Sequence, residues 1–149
     1  MIRSASLSGF MNIADGRHDF APGLNVIVAP NGAGGHNLLK LLSAVESAGA
    51  FTSRWMTKLA FAQSITGRLN ANFRPGRVGA LARKACRIEV EHGEAEGTLA
   101  FGFSDGAEFV AVEAMPAGTA PNRPVFIPMQ ELASFVPWFP MRFDMWHVG

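Results

Sequence analysis

The sequence predicts an α/β fold built on a strand, a glycine-rich loop and a helix, followed by an antiparallel run of strands. Three observations carry this. Leu24-Asn25-Val26-Ile27-Val28 is β-branched and apolar, and lies between Pro22-Gly23 and Pro30-Asn31-Gly32. That is the profile of a strand buried on both faces. Leu38, Leu41, Leu42 and Val45 then recur at spacings of three and four, which places an amphipathic helix at 37–48. Finally, residues 87–92, 98–103 and 108–113 alternate with period two and are separated by turn-forming pieces.

The remaining elements follow in chain order. Residues 2–10 alternate loosely and read as a first strand, with a turn at Asp15-Gly16-Arg17-His18. Residues 29–36, APNGAGGH, are too rich in glycine for regular structure, and Gly49 is a stop for the helix that follows. Phe51, Trp55, Leu59, Ala62 and Ile65 have helical spacing and predict a second helix over 51–66, ended by Gly67. Residues 68–87 are basic and broken by Pro75-Gly76. Beyond 113 the pattern gives a loop at 116–124, a short strand at Val125-Phe126-Ile127 and a helix beginning at Gln130. The chain thus divides into a strand–loop–helix core (1–50), a basic segment (51–86), and strands with a tail (87–149). The tail VPWFPMRFDMWHVG is aromatic, interrupted by proline and without a closing element, so it reads as cut off.

The chain has 149 residues with 48% hydrophobic and 17% charged, which excludes a disordered or coiled-coil protein. The single Cys86 excludes a disulfide framework and an all-cysteine metal site. No apolar run reaches the length of a membrane span and the amino terminus lacks the form of a signal peptide, so the default location is cytoplasmic. The net charge of +1 conceals a strong asymmetry. Arg54, Lys58, Arg68, Arg74, Arg77, Arg83, Lys84 and Arg87 occur without an intervening acid, and the last third is acidic. This basic stretch suits DNA or another polyanion, or else the chain's own acidic third. Glu89 and Glu91 share a strand face and read as its wet side. His18, His92 and His147 lack a nearby ligand partner, and Cys86 reads as a core thiol.

A strand, glycine loop and helix start bring backbone N–H groups and a helix dipole around one concavity, which suits phosphate; a plain βα turn has the same appearance. The full phosphate-loop pattern is G-x-x-x-x-G-K-[ST]. Here Ala29 stands at the first glycine, Gly34 at the second, Gly35 at the lysine and His36 at the hydroxyl residue. Lys40 lies about a turn further on and points away from the loop.

Gly9-Phe10, Phe20, Gly23 to Val28, Pro30-Asn31-Gly32, Gly34 and Asn37-Leu38-Leu39 occur in the order found at the start of one ATPase class. Residues 7–42 resemble the amino-terminal part of ATP-binding-cassette-like ATPases of the chromosome-maintenance, RecF and OLD-nuclease kind. Residues 72–85 and 124–139 are similar to later segments of a bacterial subset. The resemblance implies the amino-terminal lobe of a phosphate-loop NTPase, with a degenerate Walker A loop. It implies ATP as the ligand, contacted by Asn31, Gly32, Ala33, Gly34, Gly35, His36 and Asn37. Without the lysine and the hydroxyl, ATP binding is expected to be weak or vestigial, and a role for Mg²⁺ stays open. No catalytic residue is assigned. Asp144 follows no Walker B strand, no signature motif occurs, and Gln63 is a poor γ-phosphate sensor. Such ATPases complete their site with a second copy or a partner head, so this chain alone is expected to be inactive. A non-catalytic interaction remnant and a nucleic-acid accessory are the alternatives.

Overall fold

The computed structural model describes residues 1–50 and 55–117. Five antiparallel strands form one sheet in the order β2-β1-β3-β4-β5. They are β1 (Ile2–Phe10), β2 (Gly16–Asp19), β3 (Ala82–His92), β4 (Thr98–Ser104) and β5 (Ala111–Ala114). Two helices, α1 (Gly35–Ser47) and α2 (Lys58–Phe73), and a 3₁₀ turn (Val78–Leu81) lie between β2 and β3.

The period-two pattern sorts cleanly into two faces. Ala5, Val90 and Leu99 stand in one row across the sheet, and Leu7, Ile88, Phe101 and Val112 in the next. All but the partly buried Val112 are within the core. On the reverse face Ser4, Glu91 and Thr98 align, as do Ser6 and Glu89, so Glu89 and Glu91 do occupy the wet side. Arg17 reaches Glu91 at 3.3 Å and Arg87 reaches Glu113 at 2.9 Å across this face. Gly9 permits the irregular step between Ser8 and Phe10. It sits at φ 70°, and a Cβ there would come within 1.9 Å of the Ala85 carbonyl oxygen.

α2 covers the apolar face through Phe61, Ile65 and Leu69, with Phe61 edge-on to Phe101 at 5.9 Å and Phe73 edge-on to Phe10 at 5.5 Å. α1 packs on α2 through Leu38, Leu41, Ala44 and Val45. α1 also meets the sheet directly, through Glu46 beside His92 of β3. Thr57 caps α2 by accepting from the Ala60 N–H at 3.1 Å.

Several expectations need correction. Leu24–Val28 is not a sheet strand and is not buried. It has no regular secondary structure and lies outside the ladder, with Leu24 89%, Val26 76% and Val28 90% exposed. A fully buried strand needs a neighbour on each edge, and among the described residues the five strands pair only with one another. The second helix begins later and runs through Gly67, ending at Phe73 with Arg74 as its left-handed cap before Pro75-Gly76. Gly67 lies on the open side of α2, where a glycine costs only about 1 kcal/mol relative to Ala. Trp55, which precedes the helix, and Leu59 are exposed. The turn expected at 15–18 is partly strand β2, and β3 begins at Ala82 rather than near 87. The readings for 125–127, 130–135 and the tail lie outside the described residues. The molecule is a mixed α/β fold with an antiparallel sheet. Among the described residues, no helix is long and apolar enough to cross a membrane.

Candidate functional site

The glycine loop leads directly into α1. Gly34 is the residue before the helix and sits at φ 86°, ψ 7°, and as the N-cap residue it has no side chain with which to cap the helix start. A Cβ at Gly34 would meet Ile13 Cγ1 at 2.9 Å and Asn12 Oδ1 at 3.2 Å, so both backbone angle and space demand glycine there. The first N–H groups of α1 have no acceptor within the helix. Ala33 N–H donates to the Pro30 carbonyl at 3.1 Å, closing the loop.

Asn12 fastens this loop from outside. Its Nδ2 donates to the Gly32 carbonyl at 2.6 Å, and its Oδ1 accepts from Asn37 Nδ2 at 2.8 Å. The loop is thus tied both to the strand system and to the first turn of α1. Asn12 was not singled out in the sequence, since its partners lie 20 and 25 positions away. A hollow of about 510 Å³ opens beside these groups, lined by Asn12, Pro30, Asn31, Gly32, Gly34, Gly35, His36 and Asn37, with Ile27, Ala29 and Leu39. Of the expected site residues, Asn31, Gly32, Gly34, Gly35, His36 and Asn37 line it. Ala33 lines a second hollow of about 410 Å³ on the other flank of the 25–29 segment.

The electrostatics of the hollow are plain. Among the described residues, neither lysine, arginine nor carboxylate lines it. Lys40 instead extends over the Phe73 ring, 5.6 Å from its centre, so it cannot replace the lysine missing at Gly35. His36 is exposed on the first turn. The site offers backbone dipoles, three asparagine amides and one imidazole. Such groups attract an anion, but the described residues supply no fixed cation to clamp one and no hydroxyl or carboxylate for Mg²⁺. Gln63 lies on the exposed side of α2.

The basic segment is partly consumed within the fold. Arg83 donates to the Met11 and Ile13 carbonyls at 2.9 and 2.8 Å and pairs with Asp15. The Gly9 N–H and then Arg83 hold the Asp15 carboxyl below its ordinary range. Arg87 pairs with Glu89 and Glu113, and Lys58 donates to the Glu113 carbonyl at 2.8 Å. Arg68, Arg74, Arg77 and Lys84 are exposed, and Arg54 lies outside the described residues.

Two other groups expected to be structural are so placed. Cys86 is buried and its thiol is pushed up to about 12 by that burial, which leaves it protonated and inert. His92 is buried, with Nε2 3.3 Å from Glu46 Oε1 on α1 and Nδ1 2.8 Å from Glu94. Desolvation, then the Met1 ammonium, holds its pKa below the usual value against the pull of Glu94. Among the described residues no group of three or more His, Cys, Asp or Glu is arranged to hold a metal ion.

No protein-family model matches the chain, and no curated protein matches it in sequence.

Proposed function

We propose that residues 29–37 form an anion subsite that accepts a phosphate group of a nucleotide such as ATP without hydrolysing it. The observation that carries this is the start of α1. Its N-cap residue is a left-handed glycine with no side chain to offer, and it opens on a hollow large enough for a phosphate chain. The N–H groups of the first turn and the positive end of the helix dipole favour an anion there by about 0.3–1 kcal/mol for the dipole contribution. The sequence resemblance to cassette-like ATPases points to the same loop and to ATP as its ligand. The absent lysine and hydroxyl leave nothing to meet charge developing on a γ-phosphoryl group, so turnover is not part of this reading.

The basic segment supports a polyanion reading less well, because Lys58, Arg83 and Arg87 already have protein partners. The test is titration of the full chain with ATP, with and without Mg²⁺, and with pyrophosphate, followed by backbone amide NMR. The amides of Gly32, Gly34, Gly35 and His36 should shift together, with a Kd on the order of 1–10 mM and little dependence on Mg²⁺. Amides that stay still at those concentrations refute the subsite. ATP turnover above background refutes its inactivity.

A further inference from the structure

The turn between β1 and β2, residues 11–15, is gripped by one element and itself grips another. Met11 sits at φ 43°, in the left-handed region that a residue with a side chain keeps only where its surroundings fix it. Its N–H donates to the Leu81 carbonyl at 2.9 Å, and the Ile13 N–H donates to the Phe10 carbonyl at 3.1 Å. The Met11 and Ile13 carbonyls are both taken by one side chain of β3. Arg83 Nη1 donates to them at 2.9 and 2.8 Å, and its Nη2 pairs with Asp15. Asp15 Oδ1 also accepts from the Gly9 N–H at 2.9 Å. A guanidinium presents its donors in one rigid plane, so acceptors from three residues of the turn are fixed relative to one another.

Asn12 lies between the two residues whose carbonyls Arg83 holds, and its amide carries both bonds to the glycine loop, to the Gly32 carbonyl and from Asn37. Ile13 backs the same loop, with Cγ1 2.9 Å from the place a Cβ would take on Gly34. We propose that Arg83 is a positioning residue for the glycine loop, acting from β3 through the 11–15 turn and Asn12 on residues 32–37. The asparagine side chain is short, and its two loop bonds measure 2.6 and 2.8 Å. A retreat of about 1 Å by the Asn12 backbone carries both beyond the usual range of such bonds. The β1–β3 ladder is built from backbone pairing between Ile2–His92 and Phe10–Ala82, so what the guanidinium adds is the path of the turn past the end of that ladder. The effect on loop order stands on these contacts alone, whereas the effect on anion affinity rests on the phosphate reading given above.

The test compares native-state hydrogen exchange in the full chain with its Arg83→Met, Asn12→Ala and doubly substituted variants. The reporters are the Ala33 and Leu38 amides, which donate to the Pro30 and Gly34 carbonyls in the loop and at its junction with α1. The controls are the amides of Ile65 and Leu69, buried within α2. Arg83→Met should speed exchange of the reporters at least about tenfold relative to the controls. In the Asn12→Ala background the same substitution should change the reporters by less than about threefold, since the link to the loop is already cut. Equal acceleration of reporters and controls, or the same acceleration with and without Asn12, describes general destabilisation and overturns the proposal. Unchanged reporters overturn it too. If Arg83→Met fails to fold, Asp15→Asn weakens the same fork while keeping an oxygen for the Gly9 N–H, and the reporters must then gain several-fold over the controls or the proposal falls. Pyrophosphate titration separates this role from the subsite itself, and Arg83→Met should weaken that binding at least about threefold. Pyrophosphate that moves no loop amide in the unmodified chain refutes the subsite and leaves an accelerated exchange as support for Arg83. Pyrophosphate bound equally by the parent and by Arg83→Met, with the reporters unchanged, refutes the role of Arg83 and leaves the subsite standing.

Discussion

Restoring the missing cation is the most direct perturbation of the glycine loop. Gly35→Lys with His36→Ser would supply the ammonium and the hydroxyl at the start of α1. A Cβ built on Gly35 lies 3.1 Å from Ala29 Cβ and 3.7 Å from Ile27 Cγ2. The closer contact must open by a few tenths of an ångström. Ala29 belongs to a segment without backbone hydrogen bonds to the described fold, so it can yield at small cost. Gly35 is the first helical residue and does not need a left-handed angle, so Lys is compatible with its backbone. Replacing glycine in the helix returns up to about 1 kcal/mol. The folded state should therefore survive with a urea midpoint close to that of the parent. A charge-assisted contact to phosphate is worth about 1.5–3 kcal/mol, or roughly 10- to 100-fold in affinity. Calorimetry with ATP–Mg should move from millimolar toward the 10–100 µM range, with no turnover. If the variant is folded and its affinity stays unchanged, the N–H groups of this loop do not face a phosphate, and the subsite reading is wrong.

Thr66→Val should destabilise the protein by about 1–3 kcal/mol in urea titration, because the buried Val110 N–H that donates to Thr66 Oγ1 at 3.0 Å loses its acceptor while the packing volume is kept; an unchanged midpoint would refute that bond. His92 is held below its ordinary value, so the unfolded chain takes up the proton first; its contribution to stability is full above about pH 6.5 and is lost as pH falls through the folded value. Glu46 beside it is raised by burial and runs the opposite way, so the urea midpoint should fall below pH 6.5 in the parent and flatten in His92→Gln, and an equal fall in that variant would place the pH dependence elsewhere.

The parts of the fold legible in the sequence were those decided locally. The period-two runs gave the faces of β3 and β4 because alternation alone determines which side chains share a row. The leucine spacing similarly placed α1 within two residues. Leu24–Val28 defeated the same reasoning, since a β-branched run has one pattern whether or not a neighbouring strand is present. Gly67 was a false stop because an exposed glycine is only mildly costly, and the true end required Pro75-Gly76. At the candidate site, the need for glycine at position 34 was visible as composition but not as geometry, which depends on Asn12 and Ile13 packed against it. The basic run misled in the same manner, since Arg83 finds Asp15 and Arg87 finds Glu113 only after folding.

The pairing of β1 with β3 joins Phe10 to Ala82 and Ile2 to His92, so everything from the glycine loop to the 3₁₀ turn is strung between two adjacent strands. This order has a consequence during synthesis. The β1–β2 hairpin is complete once Phe20 has emerged, yet a two-stranded ribbon is marginal alone. At about 5–20 residues per second, β1 waits on the order of 4–15 s for β3 to be made. Throughout that interval the backbone along its other edge and the apolar side of Ala5, Leu7 and Phe10 face solvent. The ribosome delivers the two sides of this seam far apart in time, and the nascent chain must be kept from closing on anything else in between.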